Sequence, residues 1–127
     1  MLENGKLVVN SYIISGISGN VGKIIKDNFS SYTEYKSNLD VNGDEIFLHI
    51  ASKSNGSYHE IVNSNVNYLC EIIEFCKLKH ISKIVFFSAC SIYNKEKDIY
   101  STSKLLGEKI LKESGIKVLI LRLPMIL

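Results

Sequence analysis

Tyr100 and Lys104 lie four residues apart in the run YSTSK, a spacing that sets a phenol and an ammonium on one face of a helix. A free phenol titrates near about 10, too high for a useful base at neutral pH. A neighbouring cation favours the phenolate and brings it into range. Such a tyrosine can exchange a proton with an alcohol or carbonyl while a bound cofactor exchanges a hydride. A second group of residues supplies a place for that cofactor. Residues 16–22 read GISGNVG, a GxxGxxG spacing. Between a strand and a helix, Gly16 permits the tight turn, Gly19 lets the backbone approach a pyrophosphate, and Gly22 lets the helix pack on the strand. Free N–H groups and the positive end of the helix dipole then hold the phosphate charge. Ser18, Asn20 and Val21, set among these glycines, belong to the same expected cradle.

For these groups to meet, the chain must supply strands that end near one another. Residues 11–15 (SYIIS) are short, apolar and β-branched and run directly into Gly16. Val21, Ile24, Ile25 and Phe29 then recur at helical spacing over residues 20–29. Residues 32–36 are read as a short second strand and residues 45–51 (EIFLHIA) as a buried one. Val62, Val66, Leu69, Ile73 and Cys76 form one stripe of a long amphipathic helix over residues 60–79. Residues 83–88 (KIVFFS) and 117–123 (KVLILRL) are strands, separated by a helix over 101–114 that ends at Gly115. Residues 6–10 are either an edge strand or a leader. Strands alternating with helices predict an α/β fold, a Rossmann-type three-layer α/β/α arrangement with a mostly parallel sheet of four to five strands.

The bulk composition narrows the function. At 46% hydrophobic and 22% charged residues, the 127-residue chain suits one globular domain. A formal charge of +2 is too small to attract nucleic acid or an anionic membrane surface, so the expected partner is a small molecule. Cys70, Cys76 and Cys90 lack a CxxC spacing and are read as reduced thiols, with no metal site. No apolar run approaches the roughly 20 residues of a membrane span, and the first ten residues lack a signal core. A cytoplasmic location is the expectation.

Three signals now stand in order: GxxGxxG after a first strand, HIAS ending a middle strand, and FFSACSIY leading into YSTSK. In this the sequence resembles the extended short-chain dehydrogenases, the NAD-dependent epimerase/dehydratase family acting on nucleotide-linked sugars, over about residues 13–124. That family's middle strand ends in a His-Leu-Ala-Ala-like run beside the cofactor, to which His49-Ile50-Ala51-Ser52 is similar. The resemblance implies that Ile50, Ala51 and Ser52 line the cofactor, and that Asn65, in NVNYL, lies near the active site. It further implies that Tyr100 is the acid/base group and that Lys104 lowers its pKa and holds the nicotinamide ribose. Pro124, in LRLP, would pass the nicotinamide. NAD or NADP is the implied cofactor, NAD being favoured, and a nucleotide sugar the implied substrate, with surface polysaccharide synthesis as a setting. By residue type alone, His49 reads as a core histidine and Asn65 as a helix-surface amide.

The chain departs from the pattern in places. The family sets a Ser or Thr four residues before the tyrosine that ends the strand loop, and here that position is Ala89. Ser88 or Ser91 must substitute, and Ser88, which ends its strand, is the choice. No residue is an obvious acidic partner for the adenosine ribose; Glu34, Asp40 and Asp44 are candidates by location. Units between the glycine turn and HIAS are abbreviated, which predicts weaker cofactor binding than in a longer relative. Residues 1–127 are expected to be a single abbreviated domain without a C-terminal substrate lobe, so a partner chain or homo-oligomer contact would have to supply one. Two functions follow: an NAD(P)-dependent epimerase, dehydratase or reductase, and a dinucleotide-binding module with little turnover. A flavodoxin-like regulatory domain fits the α/β pattern but leaves YSTSK and HIAS without a role.

Overall fold

The computed structural model describes residues 2–3, 6–7, 11–16, 20–28 and 31–124. Two short strands, β1 (Leu2–Glu3) and β2 (Lys6–Leu7), pair antiparallel in a ladder of their own. Lys6 and Leu7 therefore do not extend the main sheet, and Val8 to Asn10 lie outside the described residues. The main sheet comprises β3 (Tyr12–Ser15), β4 (Tyr32–Glu34), β5 (Ile46–His49), β6 (Lys83–Ala89) and β7 (Lys117–Leu123). All five are parallel, in the order β4-β3-β5-β6-β7. The order reverses between β3 and β5, the arrangement in which doubly wound sheets open a crevice at the strands' carboxyl ends. Flavodoxin-like domains share this order, so topology alone does not separate the two readings.

Alternation along the strands decides which side chains each layer receives. Ile13, Phe47, Ile84 and Phe86 point to one face and build the larger core with Leu69, Ile72, Phe75 and Cys76 of α3 (Tyr68–Leu78) and Leu111 of α4 (Ile99–Glu113). Ile14, Leu48 and Ile50 point to the other face, where Ile25 of α1 (Asn20–Asn28) covers them. Helices thus lie on both faces, unevenly. Leu119 and Leu121 of β7 remain 56% and 37% exposed.

The expected single helix over residues 60–79 is interrupted. It begins as α2 (Tyr58–Val62), capped by Ser57 and Glu60 in a reciprocal capping box, passes through a π-helical turn at Asn63–Asn67, and resumes as α3. Between β4 and β5 no helix forms. Tyr35, Leu39 and Val41 of that connection pack on the larger core, and the Glu45 carboxylate accepts from the Asn42 and Gly43 N–H groups at 2.9 and 2.7 Å. These contacts hold the crossover in place of a helix. Helix α4 starts at Ile99, two residues earlier than the apolar pattern suggests, because Asp98 caps it by accepting from Ser101 N at 2.8 Å. No helix among the described residues is long and apolar enough to cross a membrane.

Candidate functional site

Gly16 sits at the reversal point, immediately after β3. Its φ is +81°, and a Cβ there would lie 2.5 Å from Ala51 N and 2.7 Å from Ala51 Cα. Both the left-handed backbone and the close approach of the β5 loop exclude any larger residue. Ser18 and Gly19 lie outside the described residues. Asn20 and Val21 open α1, and Gly22 is buried within that helix, so Gly16 follows the end of β3 and α1 begins at Asn20.

Ser15, which the sequence reading passed over, ties the two central strands together. Its Oγ accepts from Ile50 N at 3.1 Å and Ala51 N at 3.3 Å, and lies 2.7 Å from His49 Nδ1. With both acceptor directions used, the hydroxyl proton goes to Nδ1 and the ring hydrogen is assigned to Nε2. His49 is 1% exposed and stacked on Phe86. Burial, helped by the charge of Lys104, pushes its pKa down to about 3, so the ring is neutral. This is the core histidine that residue type suggested. A hydroxyl ending a strand just before the turn glycine was the signal that could have found Ser15.

Asn65 is a buried clamp, only 3% exposed, rather than a surface amide. Its Oδ1 accepts from Lys53 N at 2.7 Å, and its Nδ2 donates to Lys53 O at 2.9 Å and to Ser103 Oγ at 3.0 Å. The π turn carries Asn65, and the loop after His49-Ile50-Ala51-Ser52 is thereby tied to α4. Ile50 is buried, Ala51 half-buried and Ser52 exposed along that loop.

Tyr100 is half-buried in the first turn of α4. Burial raises its pKa; hydrogen bonding with the Ser52 side chain opposes that shift, and Asp98 adds to it. Lys104, 2% exposed, donates from Nζ to Phe87 O at 2.8 Å and stands 4.8 Å over the Phe86 ring. Burial lowers its pKa to about 8, with Glu108 acting in the opposite sense. The expected phenol and ammonium thus share a helix, but the ammonium is directed to the β6 carbonyl, and the phenol is raised rather than lowered because its loss of water prevails.

Ser88 faces the larger core beneath α4. Its hydroxyl is near enough to Glu108 to favour that carboxylate, yet meets no partner at hydrogen-bond geometry, alone among buried side-chain polar atoms of the described residues. Glu108 follows Tyr100 by two turns of α4, roughly 12 Å along the axis. The structure sets Ser88 beside Glu108. Glu108, 1% exposed, accepts from Arg122 Nε and Nη2 at 3.2 and 2.7 Å, while Arg122 Nη1 donates to Tyr93 OH at 2.6 Å. Ser91 pairs with Ser101 at 2.7 Å. Pro124 is exposed just past β7. An open cleft of about 600 Å³ bordered by Tyr35, Glu71, Phe75 and Leu78 touches none of the candidate residues.

No family model and no curated protein matches the sequence. Solved structures do share the fold. UDP-glucuronic acid 4-epimerase from Bacillus cereus in complex with NAD superposes with a TM-score of 0.72 at 16% identity, over 91% of this chain and 57% of the other. MoeE5 in complex with UDP-glucose and NAD gives 0.76 at 15% identity, over 89% and 54%. RMD from Pseudomonas aeruginosa complexed with NADPH gives 0.71 at 15% identity, over 91% and 54%. The fold is thus of the Rossmann type, and the chain spans somewhat more than half the length of each of these structures.

Proposed function

We propose that this chain binds a nicotinamide dinucleotide across the crevice between β3 and β5, as the cofactor-holding part of a nucleotide-sugar epimerase, dehydratase or reductase. The observation that carries the reading is Gly16, pressed on Ala51 where the strand order reverses, with α1 starting a few residues later. A residue without a side chain at that point, ahead of a helix N-terminus, suits a diphosphate. Glu34 ends β4 beside β3, whereas Asp40 and Asp44 lie in the following connection. On that position we take Glu34 as the acidic group that would accept from an adenosine ribose hydroxyl, a reading in favour of NAD over NADP.

When bound, the nicotinamide supplies hydride exchange. The chain's own part is then to hold and move a proton at the Tyr100 hydroxyl, to present a cation from Lys104, and to keep the β5 loop rigid through Ser15 and Asn65. Lys104 must leave the Phe87 carbonyl to reach a ribose, and its folded pKa of about 8 leaves it mostly charged at pH 7. The three structures named above are bound to NAD or NADPH, one of them also to UDP-glucose. Nucleotide sugars are accordingly the proposed substrates.

Titration with NADH and NADPH, followed by cofactor fluorescence, tests the reading. Saturable binding to the wild type and its loss in Gly16→Val are expected; no binding of either dinucleotide by the folded wild type would overturn it. A second reading, a dinucleotide-binding module with little turnover, draws on the inward direction of Lys104 and the burial of Ser88. Binding without turnover on a nucleotide-sugar panel would select it.

A further inference from the structure

The π turn between α2 and α3 carries Asn65 inward, where it meets two neighbours, the loop after β5 and the first turn of α4. On one side Asn65 Oδ1 accepts from Lys53 N at 2.7 Å, and Nδ2 donates to Lys53 O at 2.9 Å. Because the Lys53 backbone offers one donor and one acceptor, this pairing decides which end of the amide is oxygen. The second Nδ2 proton is then left for Ser103 Oγ, 3.0 Å away. Ser103 Oγ accepts it and gives its own proton to the Tyr100 carbonyl at 2.6 Å. Every proton in the chain from Lys53 to Tyr100 therefore has one direction. Asn65 and Ser103 are both buried, so water does not compete for these bonds.

Further along α4 the helix is held by close packing and charge. A Cβ at Gly107 would come within 3.1 Å of both Leu69 and Phe86, and Glu108 is paired with Arg122. The first turn is held by hydrogen bonds instead. Asp98 accepts from Ser101 N, Ser101 Oγ meets Ser91 Oγ, and Ser103 donates to the Tyr100 carbonyl. The first two ties lead back to the loop before α4. The third leads through Asn65 to the β5 loop, whose Ala51 lies against Gly16. Moving a hydride and a proton on one substrate requires that the groups on these two elements keep a fixed spacing, because small misplacements cost rate steeply.

We propose that Ser103 is a positioning residue whose hydroxyl sets the Tyr100 turn against the β5 loop, so that a dinucleotide held by that loop and the Tyr100 phenol keep one relation to a substrate. It acts through the Tyr100 backbone and not through contact with cofactor or substrate, and no covalent bond changes at Ser103. Alanine at this position keeps the helix but breaks the hydrogen-bond chain; threonine keeps the hydroxyl. The role rests on the proposed dinucleotide site and on Tyr100 as its acid/base group. The hydrogen-bond chain itself exists without cofactor and is measurable alone.

The experiment uses the full chain, first without cofactor. Amide exchange resolved by residue reads the Lys53 N–H, which is bonded to Asn65 and not to Ser103. Ser103→Ala is expected to speed that exchange by about five- to tenfold, because Asn65 loses one of the bonds that hold it. Ser103→Thr is expected to restore the wild-type rate, and Ser101→Ala, in the same turn, to leave it unchanged. An unchanged Lys53 rate in folded Ser103→Ala, or an equal rise in Ser101→Ala, overturns the proposal. Should Ser103→Ala not fold, the wild type decides: its Asn65 side-chain amide is expected to exchange slowly, and exchange as fast as that of the exposed Asn55 overturns the proposal. NADH fluorescence run in parallel separates the two questions. A wild type that does not bind NADH refutes the dinucleotide reading and leaves the exchange rates to judge Ser103. With a turning-over substrate, Ser103→Ala is expected to lower kcat by about tenfold or more with little change in KM, and a change confined to KM overturns the positioning role.

Discussion

The Ser15 hydroxyl, 2.7 Å from His49 Nδ1, joins the ends of the two central strands across 34 residues of sequence. It also accepts from two amides of the β5 loop, so one oxygen holds the crevice's two walls in register. Ser15→Ala would leave the Ala51 amide and the buried imidazole Nδ1 without this partner, while Ile50 N keeps its bond to the Ser15 carbonyl at 3.2 Å. A loss of about 1–3 kcal/mol by urea denaturation is expected, with Ser15→Thr retaining most of the stability.

His49 makes the fold acid-sensitive. Its folded pKa of about 3 lies below the ordinary 6.5, so below 6.5 the unfolded chain binds the proton that the folded one refuses. Stability from this group is fully present above pH 6.5 and falls toward pH 3, by about 1.4 kcal/mol per unit. His49→Gln should flatten that part of a stability-against-pH curve; an unchanged slope would show that the ring is not held neutral.

Gly16 and Gly115 share nearly the same φ, +81° and +82°, but a Cβ at Gly115 meets nothing within 4 Å. Gly115→Ala is therefore expected to cost only the left-handed strain, about 1–2 kcal/mol. Gly16→Ala adds the collision with Ala51 and should cost clearly more. Equal losses in paired melts would refute the close approach of the two loops.

Lys104 weakens the fold at neutral pH. Its folded pKa near 8, against 10.5, means that the buried ammonium costs about 3 kcal/mol at pH 7. The unfolded chain binds more protons between these values, so this cost fades as pH rises through them. Lys104→Met should melt above the wild type at pH 7 and converge with it near pH 10.5. A lower melting temperature at pH 7 would show that the bond to Phe87 O outweighs the burial.

Asn65→Leu removes three hydrogen bonds and strands both polar groups of Lys53. A loss of roughly 2–4 kcal/mol is expected, with faster amide exchange at Lys53 than elsewhere in the β5 loop. Uniform exchange across the loop would deny Asn65 its clamping role.

Much of this molecule could be read along the chain because strands and helices are set by neighbours a few residues apart. The apolar run at Lys117–Leu123 and the turn glycine at Gly16 announce a strand and a junction whatever the rest of the protein does. The spacing of Tyr100 and Lys104 likewise promised a shared helix face. Folding alone decided what the polar atoms on those elements would meet. Val62, Val66 and Leu69 are spaced for an unbroken α-helix, and the π turn that carries Asn65 finds its partners in Lys53 and Ser103, 12 and 38 residues away. Ser88 alternates with Phe86 and so faces the core, but only the packing of α4 set Glu108 above it. Lys104 turned to a strand carbonyl for the same reason: a buried charge accepts the nearest partner that tertiary structure offers, and sequence spacing does not name it.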